Sequence, residues 1–345
     1  MRVAFVSMLT THHRETAGAR RVERVATDMA ARGHDVRLFC AGWWDGDAAT
    51  REVDGVTYDA VTDTPARTSF LTRLPSMLWR WGPDVVHASP NPPAQVVAAD
   101  LGSSLTRAPL VADWYGDEDL ADDRTTRLAA ARPDAAVAPS ELVRTQVREW
   151  GATEDGSLVL PEGIAFDRIT EVEPEHRADV VTAHPLDGSA NVESVLLALA
   201  EFRDRGWQAL VVGDGPRREE YEQQAADLRI DDRVVFAGDL PREERIAAYR
   251  GAHVFAQTAT RECFATELLW AMACGCVGIV EYQAESSAHE LVSGRERGFR
   301  VTSPEALADE IVAAGDLPSL TENDAFREYD REAVCERYVD LYERL

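Results

Sequence analysis

The sequence predicts an α/β protein of two doubly wound, Rossmann-like domains facing each other across a cleft, and three observations carry that prediction. Short apolar runs of strand length alternate with segments of helical periodicity along the whole chain. The strands are apolar on both sides, as Val3 and Phe5 on one and Ala4 and Val6 on the other, which suits a parallel sheet covered on both faces. The alternation stops at a polar stretch, residues 162–177, and then restarts. With 345 residues and 45% apolar content, the chain has length enough for two cores.

In order, residues 2–7 form the first expected strand. The loop 10–18 leads into a helix over 20–32, whose apolar stripe is Val22, Val25, Ala26 and Met29 and which Gly33 stops. A strand over 36–40 completes a nucleotide-type unit of strand, loop, helix and strand. Residues 52–61 read as irregular strand, 69–81 as helix and 83–88 as a buried strand. Residues 91–105 are helical after Pro92 and Pro93. A strand over 109–113 ends in the loop 114–123. A helix closes at 128–132, 135–138 is a strand, and Ser140 caps a helix over 141–150. The strand 158–161 ends this half.

After the linker, strands are expected over 180–183, 209–212 and 233–237, with helices over 191–205, 217–228 and 241–251. Residues 253–256 and 277–280 are buried strands on either side of a helix over 264–274. A short helix over 286–293, a strand over 299–301 and helices over 304–314 and 330–345 complete the chain.

Composition narrows the function. The formal net charge is −25, and every one of the 36 basic residues is arginine. So acidic a chain repels nucleic acid and anionic lipid as a whole, which argues against a general nucleic-acid binder. It reads as a high-salt-adapted (halophilic), cytoplasmic protein, with an ordinary acidic enzyme as the alternative. The five cysteines, Cys40, Cys263, Cys274, Cys276 and Cys335, are odd in number and lack zinc spacing, so they are expected as reduced thiols. The N-terminus reads as a strand rather than a signal peptide. The longest apolar run, 270–280, is far below the ~20 residues of a membrane span, which leaves peripheral membrane contact open.

The chemistry gathers at residues 251–282. A strand runs into the polar loop 257–263, and a helix follows with Phe264, Leu268, Leu269, Met272 and Ala273 at helical spacing up to Gly275. A helix start offers unpaired N–H groups and a partial positive charge, so it can hold a phosphate. This stretch resembles the donor-site segment of the group 1 (family 4) glycosyltransferases, where a Glu-containing loop leads into a helix ending Ala-Met-Ala-Cys-Gly. Glu262, Phe264, Leu268, Leu269 and residues 271–275 match in register. The phrases AARGHDVRLF, PDVVHA and PEGI resemble the family as well, and Gly18 stands at one position of its glycine pair, with Ala19 at the other.

The resemblance spans nearly the whole chain and implies the glycosyltransferase type B fold. The expected domains are an acceptor-side domain over 1–165, a donor domain over 166–328, and a final helix over 329–345 crossing back to the first domain. It also implies a sugar moved from a nucleotide-sugar to a hydroxyl of a glycan, lipid or small molecule, with retention, no cofactor and no metal.

The site residues follow from the same resemblance, each beside a plainer reading. Glu262 matches the carboxylate beside the donor sugar; otherwise it is a loop acid near a helix start. Phe264, Ala265 and Thr266 open the donor helix, and the backbone N–H groups of Ala265 and Thr266 are candidates for the diphosphate, beside His184 if protonated. Trp270 replaces the glutamate that binds the ribose; it has no side-chain acceptor, and it either stacks on the nucleotide or fills core. Glu267 lies one helical turn earlier and either supplies the missing carboxylate or is a first-turn acid favoured by the dipole. The family's arginine and lysine near the first strand of the donor domain are absent, with His184 roughly at the arginine position. Gly213 and Gly215 form a turn that borders the nucleotide in the family and is also simply a fold element. Glu290 resembles a donor-side position or begins a surface helix. On the acceptor side, Gly18, Arg20 and His87 are candidates, His87 as a strand-end residue; the family's histidine after the strand 109–113 is missing.

Two other classes remain open from sequence: a non-catalytic binding or scaffold relative with a degraded donor site, and a nucleotide-sugar epimerase of the same architecture.

Overall fold

The computed structural model describes residues 1–345 apart from Asp47 and Asp119, the latter inside the expected loop 114–123. The chain divides into two compact units, residues 1–163 with 331–345, and residues 164–330.

The first unit contains β1 (Arg2–Val6), α1 (Ala17–Ala31), β2 (Asp35–Ala41), β3 (Thr50–Val53), β4 (Val56–Thr62), α2 (Arg67–Trp81), β5 (Val85–Ala88), α3 (Pro93–Thr106), β6 (Leu110–Asp113), α4 (Arg124–Ala131), β7 (Ala135–Ala138), α5 (Glu141–Trp150) and β8 (Ser157–Val159). The strand order is β3-β4-β2-β1-β5-β6-β7-β8. All pairs are parallel except β3 with β4. The irregular strand expected over 52–61 is therefore corrected to a hairpin. Asp54 and Gly55, both at positive φ, make its two-residue turn, and Asp-Gly is the pair that such turns prefer.

The second unit contains α6 (Asp167–Glu171), β9 (Val180–Ala183), α7 (Val192–Glu201), β10 (Ala209–Val212), α8 (Arg218–Asp227), β11 (Val234–Gly238), α9 (Arg242–Gly251), β12 (Val254–Gln257), β13 (Arg261–Glu262), α10 (Thr266–Ala273), β14 (Val277–Glu281), β15 (Glu285–Ser286), α11 (Ala288–Val292), β16 (Gly298–Val301) and α12 (Pro304–Ala314), then a 3-10 turn, Asp324–Tyr329. Six parallel strands run in the order β11-β10-β9-β12-β14-β16. Val180 and Val181, neighbours on β9, enter different cores, so both sheet faces are covered. The expected linker is not wholly irregular: α6 lies in it and buries Ile169. The helix expected over 191–205 ends at Glu201. In each unit the strand order reverses once, between β1 and β5 and between β9 and β12. Ligands of such sheets bind beyond the strand C-termini at that point.

The last helix, α13 (Arg331–Arg344), belongs to the first unit. Val334, Tyr338 and Leu341 lie one turn apart, and with Cys335 and Tyr342 they join the core of β1, β2 and α1. A buried polar cluster fastens it. Arg21 bonds Asp113 at 2.9 Å, Glu162 at 2.8 Å, and Leu160 O and Tyr338 Oη at 2.6 Å each. Tyr338 Oη donates to Asp113 at 2.7 Å. Burial disfavours a charged Asp113, but Arg21, His87 and Tyr338 together outweigh it and hold the carboxyl below its usual range. A buried ion is tolerable only when its hydrogen-bonding groups are met, and here the Arg21 fork is met on Nε, Nη1 and Nη2.

Candidate functional site

Just beyond β9, the backbone of residues 184–186 passes against the turn after β10. His184 N donates to Val212 O at 3.1 Å, and Leu186 N to Asp214 O at 2.9 Å. A Cβ on Gly213 would lie 2.1 Å from His184 O, and one on Gly215 2.4 Å from Leu186 O. Gly213 also has φ +123. Both glycines are thus required by a close backbone approach that sets the position of His184.

The His184 side chain is oriented by its own strand end. Nδ1 lies 2.9 Å from Pro185 O, which places the donor proton on Nδ1 and turns Nε2 to Glu262 Oε2 at 3.4 Å. Burial opposes the imidazolium, yet the bond to Glu262 and its charge outweigh that cost and raise the His184 pKa above its ordinary value. The imidazolium form of His184 is therefore favoured, with the carboxylate singled out by the sequence motif as its counter-ion.

Glu262 is held by its backbone. β13 pairs with β15, Ser287 N donates to Glu262 O at 2.8 Å, and Ser287 Oγ to Cys263 O at 2.8 Å. The same segment leads to α11, with Glu290 half-buried in its first turn. Phe264 and Ala265 are buried, and α10 begins with no side-chain cap, so its first turn keeps N–H groups for another partner. Thr266 N is already bonded to Phe264 O at 2.9 Å.

Glu267 and Trp270 have partners of their own. Arg242 grips the Glu267 carboxylate with two bonds, 2.9 and 3.1 Å; Arg245 adds one at 3.1 Å and Tyr249 Oη one at 2.6 Å. Burial works against this charge, but Arg242 and Arg245 outweigh it and lower the pKa. The guanidinium of Arg242 also lies 5.0 Å from the centre of the Trp270 ring, which is buried in the core with Leu268 and Leu269. Of the two sequence readings of Trp270, the geometry matches core filling. Arg242, Arg245 and Tyr249 were not singled out from sequence; their spacing on α9 puts them on one face, but nothing local shows that this face meets α10.

In the first unit the candidates part company. Gly18 N, in the first turn of α1, donates to Asp117 Oδ2 at 3.1 Å. Arg20 is exposed and pairs with Glu15 at 2.9 Å. His87 is fully buried: Nδ1 is 2.6 Å from Tyr342 Oη and Nε2 3.3 Å from Asp113. The loop after β6 carries Glu118, which accepts from Tyr115 N and Gly116 N at 2.7 Å. Burial pushes its carboxyl up to about 7, against the pull of those N–H groups. Cys40, Cys274, Cys276 and Cys335 are buried thiols, and burial raises the pKa of each. Among the described residues no group of three or more His, Cys, Asp or Glu is arranged to hold a metal ion, and no helix is long and apolar enough to cross a membrane.

Two family models match, the glycosyl transferase 4-like domain over residues 16–163 and the glycosyl transferases group 1 over residues 164–332. The chain is 23% identical over 230 residues to alpha-monoglucosyldiacylglycerol synthase of Streptococcus pneumoniae, covering 61% of this chain and 52% of that one. It is 36% identical over 185 residues to 2-deoxystreptamine glucosyltransferase of Streptomyces kanamyceticus, covering 53% and 38%. These matches span about half the length of the relatives or less. Among solved structures, Anabaena HepE in complex with UDP superposes with a TM-score of 0.76 at 16% identity over the whole of both chains, a likeness of fold.

Proposed function

Because this chain belongs to the group 1 (family 4) glycosyltransferases and has their type B fold, we propose that it moves a sugar from a nucleotide-sugar donor to a hydroxyl acceptor, with retention and without a metal. The observation that carries the reading is the His184–Glu262 pair, set by Gly213 and Gly215 and followed by the uncapped start of α10. In the reaction the acceptor oxygen bonds to the anomeric carbon as the bond from that carbon to the diphosphate oxygen breaks. The nucleoside diphosphate leaves with the bonding pair, and its departing oxygen takes up the proton that the acceptor hydroxyl loses. Negative charge grows on the leaving oxygen. The His184 imidazolium and the backbone N–H groups at the start of α10 meet that charge from fixed positions. Glu262 lies beside the sugar and favours the protonated form of His184.

In this reading the second unit holds the donor, with Glu290 at its margin, and the first unit presents Gly18 and Arg20 to the acceptor. Glu267 acts as a positioning residue that joins α9 to α10. The net charge of −25 without a lysine supports a cytoplasm of high salt as its setting.

One observation favours a second reading. Trp270 stands at the family's ribose-binding glutamate, and Glu267 is occupied by two arginines, so a scaffold that has lost donor chemistry would look similar here. Incubation with UDP- and GDP-sugars in molar KCl separates the cases. Release of nucleoside diphosphate that depends on an added acceptor supports transfer. A changed sugar without acceptor would mean epimerisation, and no turnover of any donor would favour the scaffold.

A further inference from the structure

The acidity of this chain has a gap. Residues 64–83 contain no carboxylate, and residues 64–112 contain only Asp84 and Asp100, against Arg67, Arg73, Arg80 and Arg107. Four arginines against two aspartates leave this stretch locally positive in a chain of net charge −25. It builds α2 and α3, which pack side by side: a Cβ on Gly102 would lie 2.6 Å from Leu78 Cδ1 and 3.3 Å from Pro75 Cα.

The outward surface of this pair carries large exposed apolar side chains. Trp79 on α2 is 61% exposed, and Leu101 and Leu105, one turn apart on α3, are 55% and 60% exposed. Two of the α2 hydroxyls are bonded back to their own helix: Thr72 donates to Thr68 O at 3.1 Å and Ser76 to Arg73 O at 2.8 Å. Asp100, the one carboxylate of α3, is tied to Arg132 at 2.7 Å. Among the described residues, Arg73, Arg80 and Arg107 have no carboxylate within ion-pair distance. The surface thus combines arginines without a carboxylate partner, an indole and two leucines.

We propose that the outward face of α2 and α3 docks on the surface of an anionic lipid bilayer. The arginines meet lipid phosphates, Trp79 sits at headgroup depth, and Leu101 and Leu105 reach the acyl boundary. Charge complementarity selects this occupant. The field of an anionic bilayer decays within a Debye length, so it acts on the local cationic face and far less on the acid distributed elsewhere. The inference is separate from the transfer chemistry and holds whichever sugar is moved.

The test is co-sedimentation of the full chain with vesicles of phosphatidylcholine alone or mixed with phosphatidylglycerol, in low and in molar KCl. Anionic vesicles are expected to bind the protein at least about tenfold more tightly than neutral ones in low salt. The Arg73→Gln/Arg80→Gln double variant should lose about tenfold of that binding. Trp79→Ser/Leu105→Ser should lose binding at both salt concentrations, because its contribution is not screened. These side chains are exposed, so circular dichroism should show unchanged folding. Equal partitioning to both vesicle types, no binding to either, or full binding by both variants would overturn the proposal. So would lipid-free self-association that Trp79→Ser abolishes, since the face would then bind a second copy of the chain.

Discussion

His184 Nε2 and Glu262 Oε2 stand 3.4 Å apart, and the pair ties the end of β9 to the loop beyond β12 at the point where the strand order reverses. The histidine pKa is raised, so its charge is present at low pH and is lost as pH rises through a value above the ordinary ~6.5. Nucleoside diphosphate affinity should therefore fall by about tenfold across that rise, equivalent to ~1.4 kcal/mol. In His184→Gln the dependence should vanish. In Glu262→Gln it should move to lower pH, because burial then acts on the imidazole without its counter-ion.

Gly213→Ala tests how His184 is held. The new Cβ meets His184 O at 2.1 Å, and φ +123 is strained for any side chain. The expected loss is about 1–3 kcal/mol of stability, with a further fall in nucleotide affinity as residues 184–186 are displaced. Thermal melts and calorimetry on one preparation read both. An unchanged affinity would separate the glycine turn from the site.

Glu267→Gln discriminates positioning from ribose binding. Arg242, Arg245 and Tyr249 would lose a shared charged acceptor, which is expected to cost about 1–3 kcal/mol in a thermal melt. Nucleotide affinity should change by less than about threefold, under ~0.7 kcal/mol. A large loss of affinity at unchanged stability would assign the carboxylate to the ribose instead.

Arg21→Met should destabilise the first unit by about 3–5 kcal/mol, because Asp113 stays buried without its arginine, while Glu162 keeps only Arg24. The folded Asp113 pKa is depressed, so its pairing stabilises above the unfolded value and is lost as pH falls through the folded one. In the variant burial dominates, and acid unfolding should begin at higher pH. Melts across the acid range check this.

The periodicity of the chain made most strands and helices legible, and the Glu262 motif marked the loop that leads into α10. What escaped has physical reasons. Asp54-Gly55 carried a hairpin signal inside a stretch read only for strand character. Arg21, four residues before Val25, lies on the apolar stripe of α1, which marks a buried cation; Arg20 lies off that stripe and is solvated. The grip of Arg242 and Arg245 on Glu267 spans 25 and 22 residues, so it depends on helix packing that no local pattern encodes. The cationic face of α2 and α3 is visible in the charges alone, but only when acid is counted by segment and not over the chain.

The most direct test of the central claim is calorimetry of UDP and GDP in molar KCl, with and without their sugars, on wild type, Glu262→Gln and His184→Gln. The account predicts that one nucleotide series binds, that His184→Gln weakens the free diphosphate, and that Glu262→Gln weakens the sugar conjugate further than the diphosphate alone. Binding of neither series by the folded protein, or binding indifferent to both substitutions, would contradict it.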